Sequence, residues 1–241
     1  MWETHAPEAP KICAPAAAAA LENPDNVLAQ RSRVRGMKIF GDPLSTNTRK
    51  VLTTLSELGT PYELVTVSFA RGEHKHDAHL ARQPFGQMPA LEDEGFVLYE
   101  THAMCRYLSA RAGGALMPSE LRARAIVDQW MSIESATFSV YAMKFIYHHL
   151  LHVEQEASVM AHAAAGLDKA LGILAKELSA KPYIGTEAFT LADICYMPYF
   201  EYAMRTPAEA HISKYPSLLS WWSKVSERPS WLKVTGRTPA A

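Results

Sequence analysis

Apolar and polar residues fall into an ordered pattern at Met37, where "MKIFGDP" predicts a strand closed by a turn. From Ser45 to Leu58 the apolar positions recur at helical spacing, and after the break at Gly59 and Pro61 the segment Tyr62–Val67 returns to strand-like alternation. A loop holding "RGEHK" and a short helical stretch follow. Then "MPALED" and "FVLYE" flank a turn at Asp93–Gly95 and predict a hairpin, and helical spacing resumes from Thr101 to Ala112. The order is βαβαββα. A helix between the first two strands favours their parallel pairing and the hairpin adds an antiparallel pair, so a small mixed α/β sheet is expected, with helices packed on it.

Past "RAGGALMPS" (Arg111–Ser119) every periodic segment reads as helix: Glu120 to about Leu151, Glu154 to about Leu178, Leu191–Ala203 and Ser217–Glu227, with breaks at Pro182, Gly185, Pro207 and Pro216. The expected organisation is an α/β domain over 37–112, a linker over 113–118 and an all-α domain over 119–241. Residues 1–36 hold nine Ala and four Pro with no amphipathic period, and read as a low-complexity, disordered tail, with Met37 a candidate initiator. In "FTLADI" the pattern is that of a capping box: Thr190 is the N-cap, Asp193 stands three residues on, and Phe189 and Ile194 form a hydrophobic staple.

Charge and cysteine content narrow the partners. With 24 basic and 25 acidic residues the chain lacks the positive field that nucleic acid or an anionic membrane attracts, so small molecules or proteins are expected instead. No apolar run reaches the ~20 residues of a membrane span. Glu3 and Glu8 precede Lys11 and the Ala run is short, so no secretory signal is read and a cytoplasmic home is expected. Cys13, Cys105 and Cys195 are too scattered for a disulfide framework or a zinc motif. The groups His74/His76/His79 and His148/His149/His152 lack Cys or carboxylate companions, so no metal is expected.

A small mixed domain followed by a helical one, carrying "GDPLSTNTRKVL", "GEHK", "RQPFGQMPAL", "LYE" followed by a hydroxyl residue, and "FTLAD", resembles the cytosolic glutathione transferases, and within them the phi-type branch. The resemblance covers nearly all of Met37–Arg237. It implies a thioredoxin-like fold for the first domain, glutathione as co-substrate, no metal or redox cofactor, and a homodimer. It implies that Ser45 donates its hydroxyl to the glutathione sulfur and favours the thiolate. A free thiol has a pKa near ~8.5; a hydrogen bond to a charged group supplies ~1.5–3 kcal/mol and a helix N-terminus ~0.3–1 kcal/mol. Since one pKa unit is ~1.4 kcal/mol, the shift amounts to about one to two units.

The same resemblance places a cis bond between Met88 and Pro89, which turns the Met88 backbone toward the cysteinyl part of glutathione like an added strand, with Gln87 beside it. Glu100 and Thr101 are implied to hold the γ-glutamyl end, Thr101 standing where the family usually has Ser. His74 and Lys75 are implied to hold the glycyl carboxylate. For the hydrophobic electrophile, Leu44 and the helical-face residues Phe138 and Tyr141 are the candidates, a stripe that also suits a core. Organic hydroperoxide reduction is a second reaction open to such a thiolate. Two rivals differ in class. A thioredoxin-like thiol oxidoreductase needs a Cys where "LSTNT" has none, and a non-catalytic binding or scaffold protein needs a lost site, against which Ser45, Gln87, Pro89 and Glu100 argue.

Overall fold

The computed structural model describes residues 36–238; the tail expected over residues 1–36 lies outside them apart from Gly36. Strand β1 (Lys38–Gly41) leads through helix α1 (Thr46–Glu57) to β2 (Glu63–Thr66). A 3-10 turn (Glu73–Lys75) and the short α2 (Asp77–Leu80) come before the hairpin β3 (Ala90–Asp93) and β4 (Phe96–Leu98), and α3 (Thr101–Arg111) closes this half. The four strands lie in the order β2-β1-β3-β4. β1 and β2 are parallel, with Ile39 opposite Leu64, while β1–β3 and β3–β4 are antiparallel, with Ile39 opposite Leu91 and Leu91 opposite Leu98. The mixed sheet expected from the alternation is therefore present.

The second half is helical: α4 (Leu121–Ile133), α5 (Ser139–His149), α6 (Ala157–Ala180), α7 (Leu191–Ala203), α8 (Glu209–Ile212), α9 (Pro216–Ser226) and α10 (Pro229–Thr235). The run expected as one helix from Glu120 to Leu151 is interrupted by a π segment, Glu134–Phe138, between α4 and α5. The short helices α8 and α10 were not anticipated; four and seven residues are too few to show a helical period. The capping box forms as read: Thr190 Oγ1 accepts from Ala192 N at 3.3 Å, and Asp193 Oδ2 accepts from Thr190 N at 2.9 Å.

One apolar core runs through both halves, from Ile39, Leu55, Leu91 and Met104 to Trp130, Leu171, Phe200 and Trp221. Helix α1 stands in the middle of it, with every residue from Thr48 to Leu55 buried, and packs against α3, α7 and α10. Its C-terminal end is held by Arg228, whose guanidinium reaches both Glu57 oxygens at 2.7 Å. Pinning α1 from both sides fixes its open N-terminal end, where Ser45 stands.

Candidate active site

The turn ahead of α1 is built around Asp42. Ser45 N donates to Asp42 O at 3.0 Å, Asp42 Oδ1 accepts from Leu44 N at 2.9 Å, and Oδ2 accepts from Phe69 N at 3.1 Å. The Asp42 N–H points at Met88 Sδ, 3.2 Å away, which ties this turn to the segment before β3. Gly41 is required here, because a Cβ would stand 2.5 Å from Thr48 Oγ1 and 3.1 Å from Pro89 Cβ. From the helical half, the Tyr202 hydroxyl donates to Leu44 O at 2.6 Å, and the Arg49 guanidinium lies 4.9 Å from the Tyr202 ring centre. Ser45 is thus positioned by both halves. As N-cap its Oγ accepts from Thr48 N at a long 3.4 Å, and its own O–H has no acceptor among the described residues. A half-exposed hydroxyl over free helix N–H groups can receive an anion.

The Met88–Pro89 bond is cis. Gly86, at φ +59°, lets the "RGEHK" loop dock against this segment: a Cβ there would meet Lys75 Cδ at 2.8 Å and His74 O at 3.0 Å. Lys75 Nζ donates to Phe85 O at 3.2 Å and retains further donors toward solvent. His74 stacks on Phe69, ring centres 4.8 Å apart and planes 8° from parallel. Burial first, then the neighbouring charges of Lys75, His79 and His76, lower the His74 pKa below the usual imidazole value.

Glu100 and Thr101 form the junction of β4 and α3. Glu100 has φ +70°, a left-handed conformation rare for a residue with a side chain, and α3 begins with no side-chain cap. Its first N–H groups are left for an external partner. Beneath them sits a buried ion cluster that the sequence reading missed. Lys50 Nζ and His102 Nε2 both lie 2.8 Å from Glu134 Oε2. Lys50 is 2% exposed and Glu134 0%. Burial alone would lower the Lys50 pKa, but the charge of Glu134 and its hydrogen bond to the ammonium outweigh it and leave it raised. For Glu134 burial alone would raise the pKa, and Lys50 with His102 holds it lowered, so the pair is charged. A cavity of about 270 Å³ opens beside this cluster, lined by Asn47, Glu100, Thr101, Glu134, Ser139 and Tyr199 among others. The signal was legible: Glu134 occupies the apolar stripe between Met131 and Phe138, where a charge needs a partner.

His102, Glu134 and Cys195 bring one possible ligand atom each to within 4.8 Å of one another, the one such group among the described residues. The Lys50 ammonium already fills the cation position beside the carboxylate, and burial raises the Cys195 thiol far above its usual pKa. The donor set therefore fits a lysine better than a metal ion.

Of the residues chosen for the electrophile, Leu44 is 67% exposed next to Ser45. Phe138 is a correction: it is 1% exposed, and its ring packs on Tyr196, Tyr199 and Phe200 at 4.9, 6.2 and 5.7 Å. With Ala142 and Phe145 also buried, this face is core. Tyr141 is half-buried and lies against α6, edge-on to His162 at 5.7 Å and over Gly166, where a Cβ would stand 2.4 Å from its ring.

Two family models match the chain: the glutathione S-transferase N-terminal domain over residues 35–110 and the C-terminal domain over 129–229. The probable glutathione S-transferase GSTF1 of Oryza sativa subsp. japonica is 32% identical over 207 residues, covering 82% of this chain and 94% of that protein. The chain belongs to the glutathione S-transferase family. Among solved members of the family, glutathione transferase F7 from Populus trichocarpa superposes with a TM-score of 0.78 at 31% identity, over 83% of this chain and 98% of that one. Glutathione S-transferase I from mais, solved in complex with an atrazine glutathione conjugate, gives 0.76 at 31% identity, over 83% and 97% of the two chains. The plant relatives of this chain from rice, Arabidopsis and poplar are phi-type members of the family, as the motifs around Ser45 and Pro89 suggested.

Proposed function

We propose that this chain conjugates reduced glutathione to hydrophobic electrophiles, holding glutathione along 37–112 and the electrophile against 119–241, with 113–118 as the linker. Family membership supports the reaction class. The observation that carries the reading of the site is the Ser45 hydroxyl, free to donate at the start of a 12-residue helix and tied through Asp42 to Met88. In this reading the sulfur lies at Ser45, the cysteinyl backbone along Met88 and Gln87 beside Pro89, the γ-glutamyl end at Glu100 and Thr101, and the glycyl carboxylate at His74 and Lys75. The thiolate attacks the electrophilic carbon, a C–S bond forms, the leaving group departs with its electron pair, and the thiol proton passes to solvent. Hydrogen bonding and proximity supply the acceleration, with no covalent enzyme intermediate. Leu44 offers the electrophile an apolar contact beside the sulfur.

Organic hydroperoxide reduction fits the same thiolate, two glutathiones supplying the two electrons. No resident metal takes part in the proposed reaction. We take the assembly to be a homodimer, a reading supported by family habit and by Phe96 and Val97 exposed on β4. No described helix is long and apolar enough to cross a membrane; we place the protein in the cytoplasm, without nucleic-acid or membrane partners. The thiol-oxidoreductase rival has little support. Cys105 and Cys195 are fully buried, and burial pushes Cys105 up to about 11. The scaffold rival gains no support from the relatives, which are named as transferases.

The test is isothermal titration of the full chain with reduced glutathione, alongside turnover of an aromatic halide. Saturable binding with glutathione-dependent turnover is the expected outcome; absence of binding would sink the catalytic reading and leave the fold.

A further inference from the structure

Gln87 is exposed and lies outside any strand, yet its backbone is gripped from both sides. His79 Nε2 lies 2.6 Å from Gln87 O, and Gln83 Oε1 accepts from Gln87 N at 3.0 Å. Both gripping side chains are almost wholly buried, His79 at 3% and Gln83 at 2% exposure. A carbonyl only accepts, so Nε2 is the protonated donor of this bond. Nδ1 is buried without a hydrogen-bond partner, and the Gln87 carbonyl is the side chain's one hydrogen bond among the described residues.

A buried imidazole with one unpartnered nitrogen costs desolvation that an apolar side chain would avoid. His79 also borders an open cavity of about 320 Å³, lined by Phe40, Val65, Val67, Ala78 and Arg82 among others. What the imidazole supplies is the bond to Gln87 O. That carbonyl and the Met88 N–H belong to one planar peptide unit, so fixing the carbonyl fixes the direction of the N–H.

We propose that His79 and Gln83 are positioning residues for glutathione, a pair of buried side chains that hold the Gln87–Met88 peptide in the orientation that meets the cysteinyl backbone. This rests on the glutathione reading above. His79 and Gln83 touch no substrate themselves; they act through the backbone of Gln87.

The experiment compares wild type, His79→Leu, His79→Gln and Gln83→Met in the full chain. It measures KM for glutathione and for an aromatic halide, kcat at saturation, Tm, and amide hydrogen exchange at Gln87 and Met88 without ligand. In His79→Leu the glutathione KM should rise about tenfold, the equivalent of ~1.4 kcal/mol. The electrophile KM and saturated kcat should stay within about twofold, and exchange at the Gln87 amide, which is bonded to Gln83 Oε1, should speed up. His79→Gln, whose amide N–H reaches the same carbonyl, should recover most of the loss, a rescue that a merely structural role would not give. A lowered Tm with glutathione KM and Gln87 exchange unchanged would overturn the proposal, as would equal losses in kcat and both KM values. If His79→Leu does not fold, Gln83→Met carries the same expectation, read at the Gln87 amide. If wild type binds no glutathione, the functional reading fails on its own, and exchange at Gln87 and Met88 still decides whether the grip exists.

Discussion

Ser45 and Thr190 both cap buried helices with a hydroxyl, and the two ends of the molecule use that device in opposite ways. At Thr190 every acceptor is consumed internally: Asp193 Oδ2 takes Thr190 N at 2.9 Å, and Oδ1 takes Ile184 N at 3.0 Å and Trp221 Nε1 at 2.8 Å. Thr190 is 3% exposed and Asp193 0%. At Ser45 the cap is half-exposed and loosely bonded, and at Thr101 the helix start has no side-chain cap at all. A closed cap stabilises the fold. An open cap leaves N–H groups and a hydroxyl for something the chain does not contain, which is what a binding site requires.

The largest expected effect breaks the closed cap. Asp193→Ala orphans the Ile184, Thr190 and Trp221 donors and should cost about 3 kcal/mol in denaturant unfolding, at ~1–3 kcal/mol for each buried donor left unpaired. The glutathione KM of the folded protein should not change. A pH series sharpens the same point. Burial outweighs four hydrogen bonds and pushes Asp193 up to about 6 from an ordinary 3.8. A carboxyl whose folded pKa is raised contributes stability that is complete below 3.8 and is lost as pH rises through about 6. Wild type should therefore lose about 3 kcal/mol relative to Asp193→Asn between pH 3.5 and 7, at ~1.4 kcal/mol per unit.

The open caps should answer in activity instead. Ser45→Ala should lower kcat/KM about 100-fold while unfolding free energy moves by less than about 1 kcal/mol. If stability fell as far as in Asp193→Ala, the contrast between the two caps would collapse. The smallest effect is expected from Thr101→Ser, which keeps the hydroxyl and drops a methyl that restricts χ1; glutathione KM should change by less than about threefold.

Sequence pattern alone was enough for a mixed sheet with one parallel pair and a hairpin, and for the capping box, because each is a local signal: strand alternation, the turn at Asp93–Gly95, and Thr190 three residues ahead of Asp193. The antiparallel pairing of β1 with β3 joins residues about 50 positions apart and had no such signal. The glutathione residues were named from a family resemblance. Phe138 proved to be core because periodicity says which side chains share a face, not what that face meets; Phe138 meets Tyr196 and Phe200. The cluster Lys50–Glu134–His102 joins α1, the π segment and α3, residues up to 84 apart in sequence, so no local pattern names the partners of Glu134. Glu134 on an apolar stripe was its trace. His79 was grouped with His74 and His76 as lacking metal partners, and its burial and its 2.6 Å approach to Gln87 O separate it from them.

The most direct measurement is the pH titration of enzyme-bound glutathione by ultraviolet thiolate absorbance, in wild type and in Ser45→Ala. Wild type should give a bound thiol pKa about one to two units below the ~8.5 of a free thiol, and Ser45→Ala should return most of that shift while still binding glutathione. A bound thiol that titrates near ~8.5 in both proteins would contradict the assignment of Ser45 as the group that stabilises the thiolate.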